Sequence, residues 1–165
     1  MKKIFIILGI ITLVGLMATV AMADTNTDTV TVNYTLTEYH LLDIDDASVN
    51  IATTAPTDAG QSSTSGTVNI TYDISNNVTN YKITGKIDSA MPTNTALKLN
   101  LTAPTNCGGT SAGAVSLTAT DQDLVTGIGV GVDNDINGTF SLTAGSGVAA
   151  ATGNRTCTLT LTAGP

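Results

Sequence analysis

Asp133-Asn134-Asp135-Ile136-Asn137-Gly138 places oxygen-bearing side chains at alternate positions and closes on a glycine. Carboxylate and amide oxygens at that spacing can converge on a hard cation such as calcium, while the glycine allows a sharp turn. Asp133, Asp135 and Asn137 are therefore candidate ligands of a calcium loop. Asp121 and Asp123, or Asp43, Asp45 and Asp46, are carboxylates that a second loop could add. The same stretch has another reading. Asn-Gly is the preferred two-residue turn of a β-hairpin, so Asn137-Gly138 could join two strands with no ion involved.

The hexapeptide resembles the first half of an EF-hand loop. Its twelfth position is Ala144, where that family has a bidentate Glu, and the flanks Val130–Val132 and Phe140–Leu142 read as strands rather than helices. A complete EF-hand is thereby excluded, and a calcium-binding hairpin loop is what remains of that option. Gly109-Thr110-Ser111-Ala112-Gly113 matches G-x-S-x-G, which exposes a nucleophilic serine only between a strand and a helix. Here two glycines precede it and a short strand follows, and His40, the single histidine, stands before the serine. In a chain this rich in Gly, Ser and Thr, the match reads as chance. One histidine also excludes multi-histidine metal sites. A glycosidase would need an acid and a base across a cleft. The chain has no Trp and few aromatics to form sugar platforms. No catalytic residue is assigned, and the expected protein is not an enzyme.

The N-terminus supplies a compartment. Lys2 and Lys3 precede an uncharged run from Ile4 to Val20, and Ala21-Met22-Ala23 is a small-x-small cleavage site. Residues 1–23 thus read as a secretory signal peptide. The alternative, a retained anchor, has 17 residues of apolar run, at the short end of what spans a bilayer. Cleavage after Ala23 would leave residues 24–165 as one domain, with no membrane span. That domain has four basic residues against 13 acidic ones, a net charge near −9. Nucleic acid is excluded as a partner, since phosphate binding needs clustered Lys and Arg. In an exported chain the two cysteines, Cys107 and Cys157, read as one disulfide. It would close a loop of about 50 residues, worth roughly 4 kcal/mol in the loop-entropy picture. Two free thiols are the other reading.

The rest of the chain must position these groups, and its period is two. Val68, Ile70, Tyr72 and Ile74 alternate with polar residues; so do Tyr81, Ile83 and Ile87, then Leu97, Leu99 and Leu101, then Leu124, Ile128, Val130 and Val132, then Phe140 and Leu142, and finally Cys157, Leu159 and Leu161. Ser48–Ile51 and Ala114–Thr118 are shorter candidates. The 31 threonines favour extended backbone. Eight or nine strands, each apolar on one side, predict an all-β fold, an antiparallel two-sheet sandwich. Gly127, Gly129 and Gly131 share one side of a predicted strand, which suits either tight internal packing or the approach of another chain. Six N-x-[ST] sequons stand at Asn33, Asn69, Asn77, Asn100, Asn137 and Asn154. They are usable wherever the host glycosylates exported proteins.

A strand is predicted over residues 29–37, where Val30, Val32, Tyr34 and Leu36 alternate with Thr and Asn at the very start of the processed chain. It can pair within its own sheet or complete the sheet of a neighbour. Thr29-Val30-Thr31-Val32-Asn33-Tyr34 after the leader, with Gly153-Asn154-Arg155-Thr156-Cys157-Thr158-Leu159-Thr160-Leu161 at the end, resembles the layout of secreted prokaryotic surface subunits, fimbrial ones included. The resemblance implies an immunoglobulin-like or jelly-roll-like domain that builds a fibre by donating its N-terminal strand. The expectation is a structural subunit of an extracellular filament or surface layer that partners with itself or with other surface proteins. The alternative is a secreted adhesive or calcium-dependent binding module, with calcium as the one cofactor considered.

Overall fold

A computed structural model describes residues 28–165. The expected leader, residues 1–23, lies outside the described residues. The chain divides into two compact units, Met1–Leu36 and Thr37–Pro165. In the first, residues 28–36 carry no regular secondary structure. The second holds nine strands: β1 (His40–Ile44), β2 (Gly66–Asn76), β3 (Tyr81–Ile87), β4 (Thr95–Leu101), β5 (Thr110–Ser111), β6 (Val115–Ser116), β7 (Gln122–Ile128), β8 (Gly131–Ala144) and β9 (Cys157–Ala163). No helix occurs among the described residues, so none there is long and apolar enough to cross a membrane.

The strands form two antiparallel sheets. One has the order β1-β2-β8-β4-β6 and the other β5-β7-β3-β9. Period-two patterning produces a common core from them. Ile70, Tyr72 and Ile74 of β2, Leu99 and Leu101 of β4, and Ile136 and Phe140 of β8 come from the first sheet. Tyr81, Ile83 and Ile87 of β3, and Leu124, Val125 and Ile128 of β7, come from the second. All belong to one buried cluster. Each large aliphatic side chain so buried contributes about 1.5–3 kcal/mol relative to exposure. Tyr72 is fully buried, and its hydroxyl donates to the Thr102 carbonyl at 2.6 Å, so the core satisfies its deepest phenol. That burial pushes the Tyr72 hydroxyl well above the usual tyrosine range, with Asp133 and Cys107 adding to it.

Two expected features are corrected by β8. Asn137-Gly138 is neither a turn nor the end of an ion loop; it lies in mid-strand. β8 runs between β2 and β4 and pairs with both at this point: Asn137 faces Thr71, and Gly138 faces Ile70 and Leu101. From Gly138 to Leu142 β8 is paired on both sides, so its second half has no free edge on which the first half could fold back as a hairpin. Gly138 is needed here for space, since a Cβ would stand 2.7 Å from a Leu101 methyl and 2.9 Å from Ile70. The predicted strand 124–132 is likewise two strands. The chain leaves one sheet after Ile128 and enters the other at Gly131. Gly129 and Gly131 serve tight packing at this corner. Gly129 N–H donates to the Cys107 carbonyl, and a Cβ on Gly131 would meet the Asn106 backbone at 2.9 Å. Ser48–Ile51 forms no strand, although Val49 and Ile51 pack against the core.

The Cys107–Cys157 disulfide is also corrected: both thiols are free. Cys107 lies against Gly129, next to Ile128, which pairs with Tyr81 at the start of β3. Cys157 pairs with Ile87 at the other end of that strand. Six residue steps separate these points, about 20 Å at the usual rise. A disulfide requires Cα atoms within about 7 Å. Burial pushes the Cys157 thiol up to about 11 and raises that of Cys107, which Asp133 raises further. A raised acid keeps its proton in the folded chain while the unfolded chain releases it, so stability falls as pH rises from about 9 towards 11. Without reductant, the denatured chain is expected to take up two equivalents of a thiol reagent, and the folded chain to react slowly at neutral pH. Thiols that become titratable only after reduction would contradict this arrangement.

Candidate functional site

The outer side of the five-stranded sheet carries the chemistry. Directly opposed residues share a side, so the register assigns each side chain to one. Along β2, Ile70, Tyr72 and Ile74 point inward, while Thr67, Asn69, Thr71 and Asp73 point outward. Between Tyr72 and Ile74 the register with β8 slips. Tyr72 faces Ile136 and Ile74 faces Asp133, so the single residue Asp73 lies opposite both Asn134 and Asp135. This is a β-bulge. Asp135 takes a left-handed backbone, φ 53°, which Asp tolerates better than most residues, and its N–H donates to Asp73 Oδ1 at 2.8 Å.

The bulge separates the residues that sequence spacing had grouped. Asp133 and Asp135 are two apart, and in a regular strand they would share a side. With the extra residue, Asp133 stays on the inner side opposite Ile74. There it accepts from the Thr105 and Asn106 backbone N–H groups and from the Asn106 amide, at 2.5, 3.0 and 3.2 Å. Asp133 is thus a clamp on the 105–106 turn rather than part of an ion loop. Asn137 sits outward across from Thr71. Of the three expected ligands only Asp135 joins a carboxylate cluster, and its companions are Asp45 and Asp73. One oxygen from each lies within 4.8 Å of the others.

Asp45 enters because β1 and the residues after it lie along β2: Asp45 N–H donates to the Thr71 carbonyl and Asp46 accepts from Thr71 N–H. Asp43 pairs with Asp73 in the ladder. A shallow groove lined by Leu41, Asp43, Asp73, Ile74, Ser75 and Asn134 adjoins the cluster. Asp121 and Asp123 are elsewhere, in ion pairs with Lys86 at 3.4 Å and Lys82 at 2.8 Å on the four-stranded sheet. Asp73 escaped sequence reasoning. Its only signal was an acid at an outward position in a strand otherwise lined outward by Thr and Asn. Three hard oxygens, from β2, from β8 and from the residue that follows β1, suit a hard divalent cation, whose ligand oxygens must lie within about 5 Å of one another.

Ser111 is engaged in packing: its hydroxyl donates to the Leu101 carbonyl at 2.5 Å and accepts from Gly113 N–H. The His40 ring lies 4.8 Å from that of Tyr81, centroid to centroid. Tyr81 is held by a hydrogen bond to Glu38, and burial and that carboxylate raise its pKa. Val30, Val32, Tyr34 and Leu36, expected as strand residues, carry no ladder; they are 85%, 71%, 81% and 82% exposed. No protein-family model matches the chain, and no curated protein matches it in sequence.

Calcium titration by calorimetry checks the carboxylate cluster. Binding is expected to weaken at least tenfold in Asp73→Asn and Asp135→Asn and to persist in Asp121→Asn. Equal heats in all four chains, or none in the unaltered chain, would remove the cluster as a cation site.

Proposed function

We propose that the chain is a secreted, non-catalytic structural subunit of an extracellular filament or surface layer. In this reading its two sheets form a sandwich of immunoglobulin-like or jelly-roll-like kind, residues 1–23 are removed, and residues 29–37 become a strand on a neighbouring subunit. One observation carries the reading. Four large apolar side chains, Val30, Val32, Tyr34 and Leu36, alternate with polar ones as in a half-buried strand, yet all four face solvent and the segment has no ladder. Exposed apolar side chains in such a row mark a surface that another chain covers.

The anchoring of the segment supports the same reading. Asn77 accepts from Tyr39 N–H at 2.8 Å and donates to the Thr37 carbonyl at 2.8 Å, and its own N–H donates to the Tyr39 carbonyl. The clamp ends at Thr37, and the alternating stretch begins at the next residue towards the N-terminus.

A second reading, a calcium-dependent adhesive module, is favoured by the Asp45–Asp73–Asp135 cluster beside the groove at Leu41. The two readings are compatible, since a cation there would brace the end of β1 against β2 and β8.

Electron microscopy and gel filtration of residues 24–165 and 38–165 test the first reading. The longer chain is expected to form filaments or concentration-dependent oligomers, and the shorter one to remain a folded monomer. Identical monomers from both would contradict it.

A further inference from the structure

We infer that β9 is the edge that receives residues Val30–Leu36 of a second copy; the inference rests on the strand-donation reading above and adds the acceptor. Sheet edges in folded chains are guarded by shortness, charge, proline or bulges, because an open row of backbone groups invites another strand. Three of the four edges here are guarded in this way. β5 and β6 have two residues each. β1 has five, includes Asp43, and is followed at once by Asp45 and Asp46.

The fourth edge is different. β9 has seven residues, Cys-Thr-Leu-Thr-Leu-Thr-Ala, with no charge, proline or glycine. Its register with β3 is unbroken from Tyr81 opposite Ala163 to Ile87 opposite Cys157, whereas β7, on the other side of β3, slips twice. Among the described residues, the backbone of Cys157–Ala163 pairs with β3 alone. Its inward row, Cys157, Leu159 and Leu161, is only half-buried and packs at the margin of the core. The edge is therefore straight and uncharged, its inward row is only partly covered, and β1 of the other sheet lies close to it.

The donor has the complementary pattern. Val30–Leu36 is also seven residues long and also begins and alternates on apolar positions. Laid beside β9, its Val30, Val32, Tyr34 and Leu36 extend the row of Leu159 and Leu161 over the core. Thr31, Asn33 and Thr35 then extend the outer row of Thr158, Thr160 and Thr162. A shift of one residue would reverse both rows, so the pattern fixes the side presented although either strand direction satisfies it.

The free thiol of Cys157 reports the contact. In the full chain, Val30→Cys, Val32→Cys, Tyr34→Cys and Leu36→Cys are introduced singly at solvent-exposed positions and the protein is oxidised under assembling conditions. Val30→Cys or Leu36→Cys, according to strand direction, is expected to give covalent dimers and a higher ladder. Peptide mass spectrometry is expected to place the bond at Cys157, and Cys157→Ser to abolish it. A bond to Cys157 within one monomer at every concentration would overturn the inference in favour of self-pairing. Assembly with no link to Cys157 from any of the four, under conditions where a small thiol reagent labels Cys157 in the unassembled chain, would move the acceptor away from β9 and leave strand donation standing. A chain that never assembles would defeat strand donation and this inference together.

Discussion

The most deeply buried polar side chain among the described residues is Asn76, and both corners where the chain passes between β2 and β3 and between β7 and β8 depend on it. Its amide donates to the Val78 carbonyl at 2.6 Å and to the Gly129 carbonyl at 3.1 Å, and its oxygen accepts from Val78 N–H. One side chain thereby supplies partners to part-buried backbone groups of two loops. A fully buried backbone group left without a partner costs on the order of 1–3 kcal/mol. Asn77, the next residue, reaches the other way and grips Thr37 and Tyr39. The pair Asn76-Asn77 thus sets both the sheet crossings and the point from which the N-terminal segment departs.

The second organising feature is the bulge opposite Asp73. It lies within a β8 that runs 14 residues without a turn, and it directs Asp133 inward and Asp135 outward. The inner carboxylate holds the 105–106 turn, beside which Cys107 is buried. The outer one meets Asp73 and Asp45. A local slip of one residue therefore divides a single acidic motif between a structural task and a site with the geometry of cation ligation.

Alternation in the sequence was enough to read the two antiparallel sheets, with β2, β3, β4 and β9 close to their observed bounds, because each buries one side of its residues. β1 was missed because Leu41 and Leu42 are adjacent and break the period; only Leu42 and Ile44 pack against the core. Asn137-Gly138 misled because local turn preference yields to pairing on both sides. The cysteines misled because their number says nothing of which end of a strand each occupies. Of the three clustered carboxylates, Asp135 was legible and Asp45 was among the alternatives. Asp73 was not, since its role follows from strand register. The apolar rhythm of residues 29–37 predicts a strand, yet among the described residues that segment joins no ladder.

Strand donation turns on residues 29–36, which join no ladder among the described residues. Hydrogen exchange with mass spectrometry, on dilute monomer and on assembled protein, addresses it directly. The amides of Thr29–Leu36 should exchange without protection in the monomer and become protected on assembly, together with the outward amides of β9. Protection of Thr29–Leu36 already present in the monomer, or no change in either segment on assembly, would contradict the account.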